Sequence, residues 1–542
     1  MRIVTPLIAV ILVVLLQPMT AVSQEQQYWV QSITVSYPSA PLMAKDAAAN
    51  LYIETTTTAA GATFSFFLIK YNSSGTQQWK ASYSNGNVTE VIGIGADNSQ
   101  DLYVGINTKT GAAVMKYSPT GQLLSISPLL HNNGQPRLSA MKVDAAGNCY
   151  LTGYTITISP QTLTFKINSA GVEQWVASYV GPGSAAEAGE AITIDPVGNV
   201  YVASSSGGGI ATLKYDLNGN FLWAGKYTGP SSTQDNAIGI AVDTTSGNVY
   251  TVGQSEMGWT SDIGDVIGYS PSGIQLWAIQ DSNSTANIEV LVDYAGNVIT
   301  LGDPLGPRVF TATKYTSAGS VLWTNGYSPS QGVSGQVFAA LLDNSGNLYV
   351  TMPVGSSTQY YATVEYYSDG TLAWALTYTA AIGQDAPSAI ALQNPVRRGV
   401  DYLQFPQIFV SGITTGTTGN SLNLTTIMYS QPPRVARSTT ADTLTGNAAS
   451  LTTPLFQLTN YPNPFRGATT IAYTIPHDSH VILQVYDGAG RPVATLVNED
   501  QTAGAYALPF NTGRLAAGIY QYRITAQSPQ GSFTQTKQML VQ

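Results

Sequence analysis

The chain has 542 residues, 44% hydrophobic and only 10% charged, with 52 Gly, 28 Pro and a net charge of −9. That much apolar material excludes a disordered chain and suffices for a large core plus a second domain. Scarce Glu, Lys and Arg beside plentiful Tyr, Thr, Val, Ser and Gly favour short strands and tight turns, so the expected class is all-β.

Residues 1–23 join Arg2, the apolar run "IVTPLIAVILVVLL" and the small residues "TAVS" ahead of Gln24. These are the three parts of a secretory signal peptide. The 14-residue run is shorter than the roughly 20 residues of a membrane-crossing helix, which weighs against an uncleaved anchor. The mature chain is therefore expected outside the cytoplasm, with no membrane span. Its single cysteine, Cys149, leaves no intramolecular disulfide or cysteine cluster, and three histidines (His131, His477, His480) are poor material for zinc sites or Ser-His-Asp triads. No cofactor motif and no metal set is found, and no catalytic residue is assigned.

From residue 24 to 430 the chain repeats itself. Asp46, Asp97, Asp144, Asp195, Asp243, Asp293 and Asp343 recur every 47 to 51 residues, most followed by Gly-Asn and a strand such as "NVYVAS". A second signature interleaves: "KYNSSGTQQW" at 70, "KINSAGVEQW" at 166, "KYDLNGNFLW" at 214, "KYTSAGSVLW" at 314 and "EYYSDGTLAW" at 365, with "KYSPTGQLLS" at 116 lacking the Trp. Each repeat reads as four strands: a before the Asp, b after Gly-Asn, c ending at Lys-Tyr and d starting at Trp. Four antiparallel strands per repeat predict a β-propeller, with a solenoid as the runner-up. Two features favour a closed ring. "YWVQSITVSY" (28–37) resembles a strand d without its a, b and c, and the last repeat ("APSAIAL", "QIFVSGIT", "LTTIMYS") has no d. The N-terminal strand is expected to complete the last of eight blades, seven being the alternative.

These repeats resemble the bacterial SBBP, or seven-bladed β-propeller, repeats through "D-x-x-G-N-x-Y-V" and "K-Y-x-x-x-G-x-x-x-W". Residues 431–454, rich in Pro, Ser, Thr and Gly, form an expected linker. Residues 455–542 read as about seven short strands, a small Ig-like β-sandwich. This last segment resembles the C-terminal sorting domain of proteins exported by the type IX secretion system, through Tyr461, Pro462, Asn463, Pro464, Phe465, Tyr486, Asp487, Gly490, Gly518, Ile519, Tyr520 and the 537–541 stretch. The resemblance implies recognition by that machinery and passage through periplasm and outer membrane, ending in release or surface attachment.

The recurring Asp reads best as a turn residue whose carboxylate accepts backbone N–H bonds beside a left-handed Gly. Calcium binding would need more carboxylates per loop, and seven equivalent catalytic aspartates are implausible. Seven tryptophans (Trp29, Trp79, Trp175, Trp223, Trp277, Trp323, Trp374) share one strand-d position and read as packing, which leaves Trp259 as the candidate exposed aromatic contact.

Ligand contacts are expected on the face of the d–a and b–c loops. There Glu187 and Asp235 stand eight residues ahead of the repeat Asp and Asp385 takes the same ring position by alignment, able to bind a cation or to bond neighbouring loop amides. Arg137, Arg308, Arg397 and Arg398 are the basic candidates on this side, for a carboxylate ligand. With 14 Lys and Arg against 26 Asp and Glu between 24 and 430, nucleic acid is a poor partner. The favoured function is an extracellular binding or scaffold protein with a glycan or protein ligand. The alternative is a propeller enzyme, a glycan lyase or hydrolase using the acidic channel mouth.

Overall fold

A computed structural model describes residues 27–35, 40–57, 63–132, 134–181, 186–229, 234–256, 262–304, 310–328, 339–355, 359–378, 385–393, 407–415, 422–429, 457–461, 465–475, 479–487, 491–501, 504–511, 513, 515–528 and 531–541. The chain divides into two compact units, Met1–Thr443 and Leu444–Gln542, each all-β. Among the described residues no helix is long and apolar enough to cross a membrane. The signal-peptide segment lies outside the described residues.

Among the described residues the first unit contains eight four-stranded antiparallel sheets. Seven are built in chain order: blade 1 (42–84), blade 2 (88–129), blade 3 (135–179), blade 4 (187–227), blade 5 (234–281), blade 6 (284–327) and blade 7 (339–378). Blade 8 takes strands a to c from 386–429 and its strand d from Gln27–Val35, which pairs antiparallel with Leu422–Tyr429 in the register Val30↔Ile427. Consecutive a strands touch one another all the way round, and Ala386–Gln393 meets Leu42–Lys45 of blade 1. The unit is an eight-bladed β-propeller closed by its N-terminal strand. Buried b and c strands alternate with half-exposed d strands, and eight apolar clusters each draw on two adjacent blades. Burial of apolar surface between neighbours is therefore what holds the ring.

The recurring Asp is a turn residue. In blade 4 the Asp195 amide donates to the Asn199 carbonyl (3.1 Å), while Gly198 takes φ +92° and donates to the Asp195 carbonyl (3.0 Å). Asp195 Oδ1 accepts the amides of Val197 and Asn199, and Oδ2 accepts the Asn199 side chain (2.7 Å) and the Tyr201 hydroxyl (3.0 Å). The carboxylate thus ties the a–b turn to strand b. Blades 1 and 2 depart from the expected glycine: Ala49 and Gln100 hold the left-handed position at φ +64° and +67°. Gln100 compensates through its side chain, whose Oε1 accepts Lys70 Nζ (2.9 Å) and Asn50 Nδ2 (3.2 Å).

The Lys-Tyr and Trp signatures act together between blades. Trp79 Nε1–H donates to the Pro119 carbonyl in the c–d turn of the next blade (2.8 Å), and Lys70 Nζ approaches the same oxygen at 3.5 Å. Trp175 and Lys166 meet at Leu217, Trp223 and Lys214 at Pro271, and Trp323 and Lys314 at Ser368. The turn glycine below the indole is required for closeness: a Cβ at Gly219 would lie 2.5 Å from Trp175. Where one partner is missing, the other remains. Trp277 alone reaches Ser317, a Cβ at Gly268 in the Lys position meeting its ring at 2.7 Å, and in blade 2, with Ser125 in place of Trp, Lys116 alone reaches Ser169.

Blade 7 differs. Glu365 stands in the Lys position, 3% exposed; it accepts the Tyr349 hydroxyl (2.9 Å) and faces the Trp374 indole. Burial pushes its carboxyl up to about 7.

The second unit packs a sheet of Gln457–Tyr461, Ala468–Ile475 and Gly504–Asn511 with a sheet of Pro492–Gln501, Ser479–Tyr486, Gly518–Ser528 and Gly531–Val541. Ile471, Tyr473 and Phe510 of the first share one core with Val481, Leu483, Tyr522 and Met539 of the second, the arrangement of a small sandwich. Phe465 joins that core, its amide bonded to the Leu540 carbonyl (3.0 Å).

Candidate functional site

Strands a of blades 4 and 5 begin at one recess. Glu187 opens strand Glu187–Ile194 and Asp235 stands at the second position of Gln234–Val242. Both line a cavity of about 400 Å³, walled also by Tyr154 of blade 3 and the Ser205–Gly208 hairpin between strands b and c of blade 4. This is the face of the d–a and b–c loops.

Each carboxylate uses one oxygen inside the protein. Glu187 Oε1 accepts the Gly181 amide (3.1 Å) and the Ser206 hydroxyl (2.8 Å), and Asp235 Oδ2 accepts the Gly229 amide (2.7 Å). These bonds fasten the end of each preceding d strand to the next blade. The second oxygens, Glu187 Oε2 and Asp235 Oδ1, are buried and have no hydrogen-bond partner. Both residues are 1% exposed. Burial raises the Glu187 carboxyl above the usual range, against the lowering effect of Ser206 and Gly181. Glu190, on the cavity wall, is also raised by burial, with the Ser205 hydroxyl opposing.

Asp385 occupies the corresponding position in blade 8, 1% exposed, with its amide bonded to the Gln359 carbonyl; it does not line this cavity. Among the described residues no three His, Cys, Asp or Glu side chains stand where they could hold a metal ion. Arg137 is paired: its guanidinium meets Glu90 at 2.8 Å, linking blades 3 and 2, and the Asn107 side chain donates to the same carboxylate. Trp259, Arg308, Arg397 and Arg398 lie outside the described residues.

In the sorting segment, Phe465 is buried and Tyr520 donates its hydroxyl to the Ala516 carbonyl (2.9 Å). Tyr461 and Gly518 belong to strands Gln457–Tyr461 and Gly518–Ser528, and Pro462, Asn463 and Pro464 lie outside the described residues.

Several acids escaped sequence reasoning, among them Glu54 in strand b of blade 1, 1% exposed and raised to about 8 by burial. Asp265, in strand c of blade 5, is fully buried; it accepts the hydroxyls of Tyr227 (3.0 Å) and Ser255 (2.6 Å), and burial, with Asp235 nearby, raises it to about 6. Its signal was available, since the other copies carry Phe67, Ala113, Leu163, Ala211, Thr311, Ala362 and Thr425 at that register. Glu289, in strand a of blade 6, is raised to about 7 by burial, with Lys142 of blade 3 opposing.

An eight-bladed propeller accompanied by a seven-stranded sandwich defines the class as a two-unit β protein. Residues 459–542 match the model of the secretion system C-terminal sorting domain. The chain is exported by the type IX system to the cell surface or the medium. No curated protein matches it. Among solved structures it is similar to PorZ, described as an essential bacterial surface component of the type-IX secretion system of Porphyromonas gingivalis. There the identity is 11% and the TM-score 0.28, over 94% of this chain and 74% of that one. It is also similar to a Lactobacillus plantarum protein (18% identity, TM-score 0.38, 54% of this chain and 86% of that one). A third likeness is to the polysaccharide lyase Uly1 (7% identity, TM-score 0.38, 74% and 99%). Superpositions this loose say nothing of what the chain binds.

Proposed function

We propose that the chain is an extracellular binding or scaffold protein, led out by a signal peptide at 1–23. Its SBBP-type repeats (24–430) hold a ligand, a linker (431–454) follows, and residues 455–542 engage the export machinery. The observation that supports this reading is the recess of blades 3 to 5, a ligand-sized space of about 400 Å³ lined by Glu187, Glu190 and Asp235 and by the polar Ser205, Gln234 and Asn236. The acidic pair Asp235 and Asp265 is the observation that favours a glycan lyase or hydrolase, because unlike environments separate acid from base. Asp265, however, is fully buried and does not line the recess. Binding is the better account.

Screening the full chain against glycans and cell-surface peptides tests the reading. Saturable binding that Asp235→Asn weakens is the expected result; no binding, or glycan turnover abolished by Asp265→Asn, overturns it.

A further inference from the structure

We propose, on the binding reading above, that the recess of blades 3 to 5 is a subsite for an uncharged sugar, its ring against Tyr154 and its hydroxyls bonded to Glu190, Gln234 and Asn236. Two departures from the repeat meet there. Glu190 is the extra residue of a β-bulge in strand a of blade 4, between the pairs Gly189↔Ser204 and Ala191↔Ala203. The same bulge in blades 2, 3, 5, 6 and 8 holds Ile92, Ser139, Ile238, Ile288 and Ser388. Bulges re-aim side chains, and of these six blades blade 4 alone places an acid there. Tyr154, paired with Arg137 in blade 3, is matched by Asn107, Ser205 and Gln254 in blades 2, 4 and 5. Both departures line the cavity, and both are half-buried, unlike the closed-off Glu187 and Asp235.

Backbone bonds fix the walls in advance. The Pro160 carbonyl accepts the Glu187 amide (3.0 Å), the Ala186 carbonyl accepts the Gly207 amide (3.2 Å), and Ser205 Oγ accepts the Ala237 amide of blade 5 (3.1 Å). The b–c connection of blade 4 shrinks to Gly207 and Gly208, left-handed at φ +49° and +78°, a turn with no side chain to fill the space. Gln234 Nε2 donates to Asn236 Oδ1 (3.3 Å), which leaves Gln234 Oε1 as an acceptor and Asn236 Nδ2 as a donor for a ligand. A carboxylate only accepts, whereas ring hydroxyls both donate and accept, so a polyol matches this set. Tyrosine adds an apolar face for the C–H side of a sugar ring. No Lys, Arg or His lines the recess; Lys226, whose charge acts on Glu187, is not one of its walls, whereas three carboxyls are. An acidic sugar is therefore disfavoured. The volume of about 400 Å³ falls near the lower end of the roughly 300–1,000 Å³ of small-ligand sites, room for one sugar ring and part of the next.

Calorimetry on the full chain with methyl glucoside, methyl galactoside, methyl mannoside, glucuronate and N-acetyl-trialanine amide tests the assignment. At least one of the three glycosides should bind saturably, with glucuronate and the peptide weaker by about tenfold or more. Tyr154→Phe should keep that affinity within about threefold while Tyr154→Ala loses about tenfold, as a stacking face requires. Glu190→Gln, which keeps an acceptor for the Ser205 hydroxyl, should also lose about tenfold. Equal binding of glucuronate overturns the uncharged assignment, and equal binding of the peptide overturns the sugar. Glycoside binding untouched by both Tyr154→Ala and Glu190→Gln overturns the subsite. If no probe binds while the wider screen still finds a ligand of another class, the sugar assignment alone falls. If the screen is blank as well, the binding reading falls with it.

Discussion

The junction between blades 6 and 7 and the junction between blades 7 and 8 meet the same packing problem with opposite charge. At the first, Lys314 and Trp323 both donate to the Ser368 carbonyl in the neighbour's c–d turn. At the second, the neighbour offers no such turn, because strand d of blade 8 is Gln27–Val35 and does not follow strand c in the chain. An indole and an ammonium aimed there would both lack that turn carbonyl. Glu365 in the Lys position accepts the Tyr349 hydroxyl from its own blade, and the buried Trp374 indole N–H beside it has no hydrogen-bond partner. A repeat position is thus filled according to what the adjoining blade presents, and a departure from the repeat marks where the ring was closed.

The harshest way to break this comparison is to remove the closing strand. Deleting residues 27–35 strips blade 8 of its d strand, a loss comparable with a whole domain's stability of about 5–15 kcal/mol. Cooperative unfolding should disappear from thermal circular dichroism. Next in size, Glu365→Lys takes the acceptor from the buried Tyr349 hydroxyl and installs a lysine without the turn carbonyl that Lys314 uses, costing up to about 3 kcal/mol in chemical denaturation. A circular permutant joining Tyr429 to Gln27 through a glycine-containing turn restores a c–d carbonyl, and in that background the same substitution should cost less.

The seam also titrates. Because Glu365 is raised from 4.5 to about 7, the native state holds its proton where the unfolded chain has lost it. Stability therefore falls as pH rises through that window, by roughly 3 kcal/mol, and Glu365→Gln should flatten the slope of urea midpoints measured between pH 4 and 8. The smallest effect is a gain. Ser125→Trp in blade 2 offers an indole donor to the Ser169 carbonyl that Lys116 already reaches, worth about 1 kcal/mol of added stability in the same assay.

The period, the four strands per repeat and the closing of the last blade by the N-terminal strand were legible because each leaves a pattern along the chain. The role of the tryptophans in packing was legible too, but not their partners: Trp79 bonds to Pro119, 40 residues on, an acceptor with no side-chain signature at all. Glu365 was visible as an odd letter in the Lys column, yet its reason lies in a turn that blade 8 does not have. At the recess, the ring position of Glu187 and Asp235 could be aligned from sequence, whereas the unpartnered state of one oxygen on each depends on side-chain direction. Asp265 was passed over because the strand around it, "IGDVIGY", reads as ordinary core.

Closure by Gln27–Val35 also fixes the order in which the propeller completes itself. The strand that comes first in the chain has no partner until Leu422–Tyr429 is present, roughly 400 residues later, so the longest-range pairing is the last available. Until that moment Gln27–Val35 has its backbone hydrogen-bonding groups unpaired, and such strands recruit other chains. Any chain cut short of Tyr429 keeps its first strand unpaired. The seam therefore works as a test of completeness: only a chain whose two propeller ends both reach the outside can cover its own edge.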